Sequence, residues 1–300
     1  MTSVRHFLEV DDLTAAELAT VLELSADPSP TPALEGKGMA LLFEKPSART
    51  RHSMEMAVVQ LGGHPVSFAA SEVGIDDRES AEDVARTLAC FHAAIGARVK
   101  SHGLLERMAA VSPVPVVNML SDQAHPLQAL ADLLTVKQEF GEISGRRIAF
   151  VGDANNVSRS LAIGAGLAKA QFVISGPPGY QFSEVDLDRV SATGGAAEIV
   201  DDPIEAVADA HVVYTDVWVS MGEEAQASEK IDAFANRYAV SEALMGWAGA
   251  DAIFLHCLPA KPGQEVAHEV IYGPQSRIWQ QAENRMHAAR GLLAFLLGAS

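Results

Sequence analysis

The sequence predicts two α/β domains, each built on a parallel sheet. Three observations carry this. Short apolar runs alternate with helical periods along the whole chain. The length, 300 residues, suits two domains at about 100–200 residues each. A glycine turn, Gly141 to Gly145, divides two such series, giving expected domains 1–141 and 142–281.

Thr14-Ala15-Ala16-Glu17 is a capping box, and Leu18, Val21 and Leu22 give the following helix one apolar face. Pro28, Pro30 and Pro32 then hold the chain in a loop. Met39 to Phe43 is a buried strand. Met54, Ala57, Val58 and Leu61 repeat at helical spacing, and Gly62-Gly63 ends that helix. Val66 to Phe68 is the next strand, and Val84, Leu88 and Phe91 mark the next helix. Strands follow at Ala94 to Val99 and Val114 to Asn118, and Pro126 opens a helix through Leu130, Leu133, Leu134 and Lys137.

The second series opens with a strand at Arg147 to Val151 and a helix from about Val157. Strands are expected at Phe172 to Ser175, Ala197 to Val200, His211 to Asp216 and Ala252 to His256, and a last helix from about Ala282 to Leu297. The chain has no internal repeat and no low-complexity tract.

Lys plus Arg number 22 and Asp plus Glu 39, a net charge of −17, so most of the surface repels a phosphate backbone or an anionic membrane. An anionic substrate must then be held by a local cluster of cations. Two cysteines, Cys90 and Cys257, cannot form a disulfide framework and fit a reduced compartment. The first residues carry no signal-peptide core, and the run Leu292 to Ala299 is far short of the ~20 residues of a membrane helix. The expectation is a soluble, cytoplasmic protein.

Ligands in parallel α/β sheets sit beyond the carboxyl ends of the strands. Beyond the first lies Ser47-Ala48-Arg49-Thr50, where an N-capping serine, helix amides and a guanidinium suit an anion. The same residues alone also fit a capped helix with solvated arginines. There is no nucleoside-triphosphate loop. Arg98 is a lone cation at a strand end, which by itself reads as a surface arginine. His125 precedes Pro126 at the mouth of the sheet, with Gln128 one turn on; the pair can meet a carbonyl and an NH2, or His125 can simply cap its helix.

In the second series, Gly152-Asp153-Ala154-Asn155-Asn156 stands where a dinucleotide fold places G-x-G-x-x-G, and the glycines are missing. Its asparagines suit a zwitterion better than a pyrophosphate. Asp216 and Ser220, in Asp216 to Gly222, can hold an ammonium, although the segment also fits an ordinary loop around a buried Trp218. His256-Cys257-Leu258-Pro259 closes a strand, a place where a cysteine is usually core. No Ser-His-Asp triad and no Cys/His metal spacing is present in the sequence.

Taken in order, these segments and Ala282-Glu283-Asn284-Arg285 resemble the aspartate/ornithine carbamoyltransferase family end to end, and its ornithine branch in the Ser220-Met221-Gly222 and His256-Cys257-Leu258-Pro259 motifs. The resemblance implies transfer of a carbamoyl group from carbamoyl phosphate to the δ-amine of ornithine. It implies phosphate contacts from Ser47, Arg49, Thr50, Arg98 and the Ala48 amide. His125 and Arg285 would polarise the carbonyl, and Gln128 and the Leu258 carbonyl would read its NH2. Asn156 and the Met221 amide would take the amino-acid carboxylate, Asp216 and Ser220 its ammonium, and Cys257 would lie near the δ-amine.

It further implies a first domain that binds carbamoyl phosphate, a second that binds ornithine, and a final helix, from about residue 282, returning to the first domain. A homotrimer with no metal or organic cofactor is implied too, acting in arginine biosynthesis or, run backwards, in arginine breakdown. Two positions depart from the family pattern. Ala48 stands where threonine is usual, which spares a backbone contact. Gly74 stands where glutamine or histidine reaches a neighbouring subunit. The rivals are a carbamoyltransferase for putrescine, acylated ornithine or aspartate, and a non-catalytic relative that only binds these ligands.

Overall fold

The computed structural model describes residues 4–219, 225, 227–235 and 237–298. The chain falls into two compact units, Met1–Leu134 with Glu283–Ser300, and Thr135–Ala282. In order, the elements up to the first division are α1 (Ala15–Ala26), β1 (Gly38–Phe43), α2 (Ala48–Gln60), β2 (His64–Ala69), α3 (Ala70–Val73), α4 (Ala81–Ala89), β3 (His92–Arg98), α5 (His102–Val111), β4 (Val116–Leu120) and α6 (Pro126–Phe140). Then come β5 (Arg147–Val151), α7 (Asn156–Leu167), β6 (Gln171–Ser175), α8 (Glu184–Ala192), β7 (Ala197–Ile199), α9 (Pro203–Val207), β8 (Val212–Tyr214), α10 (Ala227–Phe234), α11 (Glu242–Met245), β9 (Ile253–Leu255), α12 (His268–Ile271) and α13 (Ile278–Leu296).

The first unit holds a four-stranded parallel sheet, order β2-β1-β3-β4. The second holds a five-stranded parallel sheet, order β7-β6-β5-β8-β9. Both strand orders reverse direction once, between β1 and β3 and between β5 and β8. Strand exits part at such a point and leave a crevice, the usual ligand position in this architecture. The central strands are buried on both faces, as parallel strands covered by helices must be. Ala40, Leu42, Ile95 and Ala97 anchor one core in the first unit, and Ala149, Val151, Val213 and Phe254 one in the second.

The last turns of α6 belong with the second unit. Phe140 packs edge-on to His211, Arg277 pairs with Glu139 at 2.8 Å, and Gln280 bonds Gln138 at 3.0 Å. The compact units divide inside α6, and α6 itself ends at Phe140, immediately before the 141–145 turn named from the sequence. A glycine turn marks where a helix ends, and packing can change sides earlier. The expected helix through Phe91 is shorter: α4 stops at Ala89, and Phe91 is 73% exposed. Among the described residues, no helix is long and apolar enough to cross a membrane.

Candidate functional site

In the first unit the residues named from the sequence gather around the β1/β3 exit. Phe43 and Arg98 are register partners, so Arg98 leaves β3 beside the turn into α2. Ser47 caps α2, its hydroxyl accepting from the Thr50 amide at 3.3 Å. No acidic residue sits in the first turn of α2, so its amide dipoles meet no competing carboxylate there. Ala48 and Arg49 are exposed on that turn, and Thr50 is buried.

Two guanidiniums converge on Thr50. Arg98 donates to Oγ1 at 3.1 Å, and Arg285, carried by α13, donates to the same oxygen at 2.8 Å. Both are buried. The resemblance named Arg285 from 235 residues away; this hydroxyl is what brings it beside Arg98. Like charges so placed favour an anion between them.

His125 is fixed at the start of α6, its carbonyl accepting from the Gln128 amide at 3.0 Å and the Ala129 amide at 3.2 Å. Burial, then Arg285, then Arg98, hold its imidazole well below the ordinary value of 6.5. A neutral ring can still donate one N–H to a carbonyl oxygen. In the unfolded chain the ring takes a proton near 6.5, and in the folded chain it resists, so its share of stability is full above that pH and lost below it. A proton NMR titration of the His125 ring should show no step between about pH 6 and 8. A step near 6.5 would contradict the buried, cation-flanked geometry.

The turn before His125 rests on residues to which the sequence reading gave no role. Ser121 Oγ accepts from the Ala124 amide and from Asn118 Nδ2, each at 3.2 Å, and lies 2.8 Å from His102 Nδ1. Asn118 Nδ2 also donates to the Leu8 carbonyl at 2.9 Å, and the His102 amide donates to Asp122 at 2.9 Å. Ser121, Asn118 and His102 are buried, so the hydrogen bonds among them are ones that water does not replace.

Gly74 ends α3 at φ +67°, and a Cβ there would lie 3.2 Å from that of Arg78. A longer side chain would be both strained and crowded, which accounts for glycine here.

In the second unit the named residues lie beyond β5, β8 and β9. Asn155 caps α7, its Oδ1 accepting from the Val157 and Ser158 amides at 2.9 and 3.0 Å. Its Nδ2 donates to Asp216 Oδ2 at 2.9 Å, so Asn155 is committed to structure. Asn156, the next residue, opens α7 and is half-buried, where helix amides favour a carboxylate. Asp216 Oδ1 accepts from the Val217 amide at 2.8 Å and from the Cys257 thiol at 3.1 Å. Cys257 and Asp216 therefore bear on one spot. Ser220 and Met221 lie outside the described residues. Just before them, Trp218 is buried against Phe234 of α10, rings 5.7 Å apart.

Lys230 on α10 makes a buried ion pair with Asp153 at 2.6 Å and lies over the Tyr180 ring. No pattern in the sequence marks the pairing. Behind Cys257, His256 Nδ1 accepts from the Leu258 amide at 2.9 Å, and Nε2 lies 3.2 Å from Glu265. Leu258 takes φ +61°, and its bond to Pro259 is cis. Asp216, His256 and Cys257 bring ligand atoms within 4.8 Å of one another. Both His256 ring nitrogens are already engaged, so this cluster is a hydrogen-bonded brace.

Known proteins agree with this layout. The aspartate/ornithine carbamoyltransferase carbamoyl-P binding domain matches residues 5–138, and the family's Asp/Orn binding domain matches 144–296. The chain is 46% identical to an ornithine carbamoyltransferase of Hyperthermus butylicus, covering 98% of this chain and 97% of that one. The ornithine carbamoyltransferase structure from Pyrococcus furiosus superposes with a TM-score of 0.93 at 41% identity, covering 99% of this chain and 98% of that chain. The Thermus thermophilus enzyme structure gives 0.89 at 42% identity, covering 98% and 99%. With both halves matched along nearly their whole length, the chain belongs to the aspartate/ornithine carbamoyltransferase family.

Proposed function

We propose that the protein transfers the carbamoyl group of carbamoyl phosphate to the δ-amine of L-ornithine, giving L-citrulline and phosphate. The observation that carries this is the paired donation of Arg98 and Arg285 to Thr50, beside a capped helix start and a neutral histidine. Ser47, Arg49, Thr50 and Arg98 hold the phosphate with the Ala48 amide. His125 and Arg285 polarise the carbonyl and stabilise the oxyanion as the amine attacks. Gln128 and the Leu258 carbonyl accept from the NH2 group.

Asn156 and the Met221 amide take the ornithine carboxylate, and Asp216 with Ser220 its α-ammonium. Cys257, in contact with Asp216, lies near the amine. A δ-ammonium with a Lys-like pKa of roughly 10.4 must lose its proton before attack. The local cations favour loss of that proton to solvent, and once the neutral amine has attacked the carbonyl carbon the departing phosphate can accept the second proton from its nitrogen. Free ornithine is preferred over aspartate, because an anionic side chain would meet the Asp216 carboxylate. It is preferred over putrescine, which has nothing for Asn156 to read.

The reading extends to a cytoplasmic homotrimer in arginine biosynthesis. Cys90 and Cys257 are free thiols, as a reduced compartment requires. β2 is an edge strand, and Met56, Val59 and Val66 on α2 and β2 are exposed apolar side chains that a second copy would cover.

Arg49 supplies the test. It is exposed, so Arg49→Ala should fold normally while losing about 10- to 100-fold in carbamoyl phosphate affinity by calorimetry. Unchanged affinity would remove Arg49 from the phosphate site.

A further inference from the structure

Asp132 is buried without any exposure on α6, four residues after Gln128, which is 1% exposed. The Gln128 Nε2 group donates to Asp132 Oδ1 at 2.8 Å. An amide has its donor at one end and its acceptor at the other, so this bond decides which end faces away. Gln128 Oε1 is the end left over, buried and with no hydrogen-bond partner among the described residues. A buried acceptor without a donor is costly and marks a place for one.

We propose that Asp132 is a positioning residue that locks the Gln128 amide with its oxygen outward, so that the site selects an acyl phosphate bearing a donor NH2. This rests on the carbamoyl phosphate reading above. Turned the other way, Gln128 would set its own NH2 against the substrate's, donor against donor. Held as it is, it accepts from a carbamoyl NH2 and finds nothing in the methyl group of acetyl phosphate. A site built to pair a polar group discriminates against the analogue that lacks it.

The test measures binding of carbamoyl phosphate and acetyl phosphate to three proteins by calorimetry. Wild type should prefer carbamoyl phosphate. Asp132→Asn is nearly isosteric and lets the amide turn. It should lose about 10- to 100-fold in carbamoyl phosphate affinity while acetyl phosphate stays within about threefold, so the preference collapses. In Asp132→Asn with Gln128→Glu, the new carboxylate offers only acceptors and the asparagine NH2 can donate to it. That protein should recover much of the preference. A purely structural role would weaken both ligands alike. Equal weakening, an unchanged preference in Asp132→Asn, or no recovery in the double variant would each overturn the proposal alone. A wild type that binds neither phosphate would overturn the proposal together with the function it rests on.

Discussion

An Asp216→Asn protein is expected to bind carbamoyl phosphate normally and to lose about 10²–10³-fold in kcat/KM for ornithine. Its carboxylate already receives Asn155 Nδ2, the Val217 amide and the Cys257 thiol, so it is held ready for a further cation. An asparagine there keeps one acceptor and turns an NH2 toward one of those donors. The substrate's ammonium then loses its counter-charge, and the bracing bonds weaken with it. The residues proposed to hold the phosphate, Ser47, Arg49, Thr50 and Arg98, are in the other unit and are untouched. Kinetics with ornithine, lysine and putrescine on both proteins check this. On wild type, putrescine should fall further than lysine, because it leaves polar groups unpaired and lysine only adds a methylene. Equal ornithine efficiency in the variant would remove Asp216 from the amine site.

Arg98→Leu is expected to lower kcat by about 10²–10³-fold while the thermal midpoint holds or rises. Arg98 and Arg285 both donate to Thr50 Oγ1 inside the first unit, and their mutual repulsion opposes folding. Both also depress the His125 pKa, which shows that their field reaches that ring. Deleting one guanidinium relieves the repulsion and removes charge from where the oxyanion is proposed to form. Thermal unfolding and steady-state kinetics on the same preparation separate the two effects. A variant that unfolds much earlier and keeps its kcat would make Arg98 structural.

Most of this arrangement was legible because parallel α/β sheets place function after strands. Thr14, Ser47 and Pro126 announced their helices through caps and a first-position proline, and each helix forms there. The short helices were harder. α8 has a capping box closed by Asp186, but only Val190 of that helix is buried, so its apolar period is too weak to read. α5 starts without a side-chain cap and carries Gly103 in its first turn.

Within the candidate site, the strand exits point to the segments that carry the proposed residues, while individual hydrogen-bond partners are not legible. Asn155 reads as a partner of Asn156, yet it caps a helix and holds Asp216. Asp132 looks like one polar position on an amphipathic helix, and only its distance to Gln128 gives it meaning. Contacts such as Lys230 with Asp153 join residues 77 apart, which no local pattern encodes.

The most direct test supplies the purified protein with carbamoyl phosphate and a panel of amines, and measures the ureido product and released phosphate. The account predicts citrulline and phosphate in equal amounts with L-ornithine, and far lower kcat/KM with putrescine, Nα-acetylornithine and aspartate. No citrulline from ornithine, or putrescine used as well as ornithine, would contradict it.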